Sequence, residues 1–131
     1  MATGCVIGES LRPGAVFEPP RLRIRRITRL DPSATVGPHQ PPVWTVVDFE
    51  VDDREADGVA EALASNLLAD GGWYADLRVG DERVIVFAGR VFRYRRGDTV
   101  VRAEAQAHGR SVGVPGHQLD WDDDDTEGND R

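Results

Sequence analysis

The sequence predicts a single α+β domain built on a small antiparallel sheet. Several segments alternate apolar and polar residues, which is typical of strands with one buried face. Two other segments repeat apolar residues at helical spacing. A chain of 131 residues can bury one core and leaves no room for a second domain. We divide it into an irregular leader at residues 1–20, an α+β domain at residues 21–119 and a disordered acidic tail at residues 120–131.

The leader and the first predicted strand come before any regular alternation. Residues 1–20 are rich in Gly and Pro and show no sustained period, which indicates irregular structure. Cys5 has no second cysteine for an intrachain disulfide, which fits a reducing compartment. Residues 22–30 mix apolar residues with arginines, and their alternation breaks near Arg25 and Arg26. That break predicts a strand that contains a bulge.

The middle of the chain predicts a loop, a strand and a helix. Residues 31–42 hold four prolines and predict a loop. Residues 43–51 have a period of two and predict a strand with one deeply buried face. A D-x-x-E sequence of the capping-box type then begins a helix predicted over residues 53–69. We expect the glycine pair at 71–72 to close this helix, because glycine adopts the left-handed conformation of a C-terminal cap.

The next part of the chain predicts an antiparallel hairpin. Residues 73–79 and 83–88 both have strand character, and the Gly-Asp pair at 80–81 favours a tight turn between them. The second of these strands is apolar on both faces. It should therefore be a central, covered strand of the sheet.

A last strand and a last helix follow the hairpin. Gly89 predicts a kink or bulge, after which residues 90–96 alternate irregularly between arginine and apolar side chains. Asp98 or Thr99 can cap a helix that extends to Ser111. The acidic tail comes after this helix and a short turn.

The order of elements predicts a topology as well as a class. From residue 43 onward, the order strand, helix, two strands, helix is the start of a ferredoxin-like split βαβ. In that fold the helices cover one face of the sheet and leave the other face free. The usual closing strand is missing, and we expect the arginine-rich strand at 22–30 to occupy an edge instead. The prediction is thus a small antiparallel sheet with two helices on one face, a ferredoxin-like split βαββα with an extra N-terminal strand.

Charge is distributed unevenly along the chain. The formal net charge is −7, and all 16 basic residues are arginines. The tail at 120–131 contains seven acids and one arginine, so it carries −6 of this charge. In the body, acids concentrate at residues 48–61, and arginines flank them at 21–29 and 90–96. If the two arginine segments lie together, the folded body should be strongly polar in charge.

No pattern of catalytic or metal-binding residues stands out. His39, His108 and His117 lack metal-ligand spacing and have no cysteine partners, so we expect no catalytic residue, metal site or cofactor. We expect His108 to lie near a helix C-terminus, where partial negative charge stabilises an imidazolium. Residues 123–128 match the first positions of an EF-hand loop, but its bidentate twelfth ligand is missing, so calcium binding is not expected.

Arginine and aromatic side chains are the candidates for binding. Residues 90–96 combine guanidinium groups with Phe92 and Tyr94, as do sheets that bind single-stranded nucleic acid. The same arginines also suit an edge strand that avoids aggregation, and the two aromatic rings also suit a core. The candidate binding residues are Trp44, Tyr74, Arg90, Arg93, Tyr94, Arg95 and Arg96.

Three segments together resemble a group of known sequences. Residues 72–76 (GWYAD), residues 86–94 (VFAGRVFRY) and residues 109–121 (GRSVGVPGHQLDW) are similar to short actinobacterial proteins of unknown function. The resemblance covers roughly residues 43–121. It implies no activity, cofactor or catalytic residue.

Two functions are compatible with these features. The first is a non-enzymatic protein-interaction or regulatory module that binds another protein, or a second copy of itself, through a free sheet face or strand edge. The alternative is a nucleic-acid-binding domain that uses the arginine-rich strands, with the acidic tail as an autoinhibitory phosphate mimic. The sequence contains no signal peptide and no run of about 18 apolar residues, so we expect a cytoplasmic protein without a membrane partner.

Overall fold

The computed structural model describes residues 1–31 and 42–119. The strands of this part form one antiparallel sheet in the order β2-β3-β1-β4-β5-β6, which confirms the α+β class. Its strands and α-helices are β1 Ala2–Ile7, β2 Arg23–Leu30, β3 Trp44–Val51, α1 Ala56–Asn66, β4 Ala75–Val79, β5 Glu82–Phe87, β6 Arg90–Arg95 and α2 Thr99–Ser111. Most of the predicted 31–42 loop and the whole predicted tail at 120–131 lie outside the described residues.

The N-terminal segment is a central strand and not an irregular leader. β1 pairs with β3 on one side and with β4 on the other. Ala2, Cys5 and Val6 are buried, so Cys5 belongs to the core. The segment shows no apolar-polar alternation because both faces of β1 are covered, as is usual for a central strand. The prediction of an irregular leader at 1–20 is therefore wrong for residues 2–7.

β1 also changes the expected topology. Both β3 and β4 run antiparallel to β1, so they run parallel to each other with β1 between them and α1 connecting them. This is a split βαβ unit, but the inserted strand comes from the N-terminus. In the predicted ferredoxin-like arrangement it would come from the following hairpin. The arginine-rich strand β2 does lie at an edge, as expected.

The two helices cover opposite faces of the sheet, which corrects the prediction that both lie on one face. Val84 and Val86 of β5 pack in one core with α1 residues, whereas Ile85 and Phe87 pack in another with Ala105 of α2. Successive side chains of a strand point to opposite faces. An apolar strand such as β5 needs cover on both faces, and the two helices provide it.

The boundaries of α1 differ from the prediction. A 3₁₀ turn over Asp53–Glu55 precedes it, and the Asp52 carboxylate accepts a hydrogen bond from the Arg54 N–H at 3.5 Å. The helix ends at Asn66, well before the glycine pair expected to cap it. The chain leaves the helix there because the Leu68 N–H donates to the Ser10 carbonyl at 2.8 Å.

The C-terminal half agrees more closely with the sequence pattern. The 73–79 and 83–88 segments form the β4-β5 hairpin, and β5 is an interior strand. Gly89 lies in a tight turn between β5 and β6, with φ of 73°, and so makes a second hairpin and not a kink. Asp98 caps α2 by accepting from the Val101 N–H at 3.2 Å. None of the helices in the described residues is long and apolar enough to cross a membrane.

Candidate interaction surface at the β2 edge

The two arginine-rich strands lie at opposite edges of the sheet. β2 begins the strand order and β6 ends it. Neighbouring strands are about 4.8 Å apart, so five spacings place these two edges roughly 24 Å from each other. The two arginine segments therefore do not lie together, and the condition for a strongly polar charge distribution is not met.

Acidic residues from the middle of the chain lie between the two arginine segments and pair with both. Carboxylates of β3, α1 and the 3₁₀ turn before α1 reach guanidinium groups on either side. The ion pairs are Arg23 with Glu50 at 2.8 Å, Arg26 with Asp48 at 3.3 Å, Arg21 with Glu55 at 3.2 Å and Arg93 with Asp57 at 2.7 Å. Charges that are segregated along the sequence are thus largely balanced in the fold.

Two of the three aromatic candidate binding residues are buried. Trp44 is 5% exposed and contacts the ring of Trp73 edge to face, with ring centroids 5.5 Å apart. Tyr94 is 3% exposed within the core beneath α2. Tyr74 is half-buried, and its hydroxyl donates to the carbonyl of Gln118 at 2.8 Å. Trp44 and Tyr94 therefore pack in the core, so neither is accessible as a binding residue. For Tyr94 this is the core alternative that the sequence left open.

The β6 strand does not present aromatic rings for base stacking. Phe92 and Tyr94 point into the α2 core, and the Arg90 guanidinium lies 4.7 Å from the centre of the Phe92 ring. Arg93 also contacts Glu82 at 3.3 Å. Arg95 approaches Asp81 at 3.7 Å, and Arg96 is exposed in the turn that follows. The combination of arginine and aromatic residues is thus present in sequence, but the rings are covered.

A different surface, formed by none of the candidate binding residues, lies at the β2 edge. Ile24 and Ile27 are each 57% exposed. They are three residues apart and would face opposite sides of a regular strand, but the register shifts between Ile24 and Arg26. Arg25 is the extra residue, so Ile24 pairs with Phe49, Ile27 pairs with Val47, and both isoleucines share one face.

The sequence signal for this surface was present, because the alternation breaks at Arg25 and Arg26. A bulge at that break aligns residues 24 and 27, and edge strands leave such residues uncovered. We call Ile24, Ile27 and the surrounding arginines the β2 edge surface. The arginines are Arg21, Arg23, Arg25, Arg26 and Arg29.

The exposed charges of this surface are cationic. Arg21, Arg23, Arg25 and Arg26 have side chains 57% to 74% exposed, whereas the carboxylates that they contact are 25% to 28% exposed. In each pair the carboxylate is the more buried group and the guanidinium group is the more exposed one. An approaching molecule therefore meets arginine first.

The backbone of β2 offers hydrogen bonds on one side. Among the described strands, β2 pairs with β3 alone. In an edge strand, alternate N–H and C=O groups point away from the sheet, where another strand can pair with them. The β2 edge thus combines backbone donors and acceptors, two exposed isoleucines and several arginines.

His108 lies in the last turn of α2, which confirms its predicted position near a helix C-terminus. Its ring packs against Phe87 at 4.7 Å and Phe92 at 5.5 Å between centroids. Burial, with a smaller contribution from the charge of Arg90, lowers the pKa of His108 below its usual value. The lowered pKa shows that burial outweighs any stabilisation of an imidazolium by the helix C-terminus, so the neutral ring is favoured.

Metal ligands do not converge in the described residues, where no group of three His, Cys, Asp or Glu side chains could hold a metal ion. No protein-family model matches the chain, and neither the curated proteins nor the solved structures gave a significant match. The resemblance to small actinobacterial proteins stays a prediction. A proposal of function therefore depends on the β2 edge surface alone.

Proposed function

We propose that this chain is a non-enzymatic interaction module that binds another protein at the β2 edge surface. The main support for this proposal is β2, an edge strand of eight residues whose bulge places two isoleucines, each 57% exposed, on one face. In strand addition, an extended partner segment pairs with the backbone of an edge, and its side chains provide specificity. The β2 edge has the features that this mode of binding requires.

The surroundings of the two isoleucines distinguish them from ordinary exposed apolar residues. Val16 and Val100 are also exposed, but they lie in different parts of the fold, and isolated exposed residues of this kind are common. Ile24 and Ile27 are neighbours on one strand with an edge beside them. Covering both, together with the backbone, would remove two neighbouring apolar side chains from water.

The arginines favour a different protein over a second copy of this chain. Pairing of two β2 edges would place arginines of one copy against arginines of the other, and like charges opposite each other in a sheet are destabilising. Self-association through β2 is thus the weaker form of the proposal. We also place the protein in the cytoplasm, which is supported by the single cysteine of the sequence, Cys5, whose side chain is buried in the core.

Nucleic-acid binding is the rival function, and the structure offers it less support. The two arginine strands are separated by the width of the sheet, and the β6 rings that would stack on bases are buried. A chain with a balanced body also lacks the broad basic surface on which phosphate binding depends.

The proposal is tested by affinity capture with matched variants. The immobilised chain is compared with the double variant Ile24→Ser and Ile27→Ser, and with the control double variant Val16→Ser and Val100→Ser. Each substitution should change the free energy of unfolding by no more than about 0.5 kcal/mol, because the four side chains are exposed. The wild type and both double variants should therefore be folded alike.

We expect defined proteins from the native lysate to bind the wild type and the control and to be lost from the β2 variant. Retention of the same proteins by all three forms would contradict the proposal. So would a wild-type chain that captures nothing and is monomeric by light scattering.

A further inference from the structure

We infer that the partner segment alternates apolar and acidic residues, an inference that rests on the proposed function and specifies its ligand. The strand already paired with β2 shows the pattern. Residues 47–51 of β3 read Val-Asp-Phe-Glu-Val. They form the inner neighbour of the same strand whose outer side is the proposed binding edge.

The pairs between β3 and β2 are apolar on one face of the sheet and charged on the other. On the face that carries the isoleucines, Ile24 is opposite Phe49 and Ile27 is opposite Val47. On the other face, Arg23 is opposite Glu50 and Arg26 is opposite Asp48, and both of these form ion pairs. An alternating apolar and acidic strand is therefore complementary to both faces of β2.

An alternating apolar and acidic strand would also be complementary to the outer side of β2. Side chains stand roughly perpendicular to a sheet, so those of an edge strand are accessible to a neighbour on either side. The isoleucines and the guanidinium groups remain more than half exposed after pairing with β3. The segment between residues 21 and 29 contains five arginines and no acid. Within the described residues, four carboxylates interact with these arginines: Asp48, Glu50 and Glu55 form ion pairs, and Glu9 interacts electrostatically with Arg29. Excess positive charge remains for an acidic partner.

The test uses a blocked, fluorescently labelled peptide with the sequence of residues 45–51 (TVVDFEV) and the full-length chain. A neutral peptide with Asn and Gln in place of the two acids measures the contribution of charge. A labelled single-stranded DNA serves as the nucleic-acid probe. Binding is followed by anisotropy at two salt concentrations for the wild type, the Ile24→Ser and Ile27→Ser variant, and the Val16→Ser and Val100→Ser control.

We expect the acidic peptide to bind the wild type and the control. Two cross-strand charge pairs predict that it binds roughly 2- to 30-fold more tightly than the neutral peptide. This ratio should shrink as salt is raised, and binding should be lost in the β2 variant. Equal binding of the two peptides would overturn the inference, as would DNA binding that requires β2 in the absence of peptide binding.

The two proposals fail in different ways. If capture of lysate proteins depends on Ile24 and Ile27 but the acidic peptide does not bind, the inferred chemistry of the partner is wrong and the proposed function stands. If neither capture nor peptide binding depends on these isoleucines, both proposals are wrong.

Discussion

Glycine at position 4 is required by close packing in the middle of the sheet. A Cβ placed there would lie 2.8 Å from Cε1 of Phe49 and 2.9 Å from the carbonyl oxygen of Asp76. Both distances are shorter than ordinary contacts, and the second involves backbone. We predict that Gly4→Ala destabilises the protein by about 1–3 kcal/mol, measured by urea denaturation.

Gly58 provides the matched control for this substitution. It lies inside α1, and an added Cβ would meet nothing within 4 Å. Gly58→Ala should stabilise the protein by about 0.5–1 kcal/mol, because alanine favours the helix. Equal effects of the two substitutions would contradict the packing described for β1.

His108 should make stability depend on pH. Its pKa is lowered from the ordinary value of 6.5 by burial against Phe87 and Phe92 and by Arg90. The unfolded chain therefore binds more protons just below pH 6.5. The contribution of the neutral ring to stability is full above pH 6.5 and declines as the pH falls toward the lowered pKa.

The variant His108→Gln tests this dependence, because glutamine has no ionisable group. Free energies of unfolding are measured from pH 7.5 down to pH 5 for both proteins. The wild type should lose more stability than the variant over the lower part of this range. A larger loss in the variant would contradict the direction of the pKa change.

Among the structural elements, the short turn after β1 fixes the position of β3. The Glu9 carboxylate accepts from the Thr45 N–H at 2.6 Å and from the Thr45 hydroxyl at 2.9 Å. Burial alone would raise the pKa of Glu9, but these hydrogen bonds, together with its own backbone N–H and the charge of Arg29, outweigh it and lower the pKa below 4.5. The carboxylate thus joins the 3₁₀ turn Gly8–Ser10 to the start of β3.

We predict that Glu9→Ala costs about 1.5–3 kcal/mol at pH 7, because two hydrogen bonds to a charged group are lost. The effect should be full above pH 4.5 and decrease as the pH falls through the lowered pKa. The control Glu61→Ala removes an exposed carboxylate from α1 and should change stability by less than about 0.5 kcal/mol. Similar losses for both variants in chemical denaturation would contradict the role of Glu9.

Elements with strong local signals were predictable from the sequence. β3, the β4-β5 hairpin and the capped α2 each depend on alternation, turn residues or a cap within a few neighbouring positions. β1 was missed because a short central strand has no alternation and few residues. The end of α1 was missed because it depends on the Leu68 backbone pairing with Ser10, which is far away in sequence.

The candidate surface was predictable only in part, for a related reason. The bulge near Arg25 was visible in the sequence, but which arginines remain outside depends on carboxylates that the fold brings to them. Similarly, Trp44 and Tyr94 are residue types that are common in binding sites, and only tertiary packing determines that they are buried. The bulged edge strand was thus predictable from its own residues, whereas the exposure of the aromatic side chains was not.

At the scale of the whole molecule, the fold converts segregated charge into balanced pairs and leaves one distinctive edge. The acids of β3 and α1 lie between the two arginine strands and compensate both. The acidic residues that dominate the net charge of −7 belong to residues 120–131. The features that set β2 apart are its isoleucines, its outward guanidinium groups and its position at the end of the sheet.

The most direct test of an open β2 edge is amide hydrogen exchange, resolved by residue, on the free full-length protein. We expect the amides of Arg23–Leu30 to alternate between slow exchange, where they bond to β3, and fast exchange, where they face outward. The interior strand β1, which pairs on both sides, should be protected throughout Thr3 to Cys5. Uniform slow exchange along β2 would show that its edge is already paired and would contradict an open site for a partner strand.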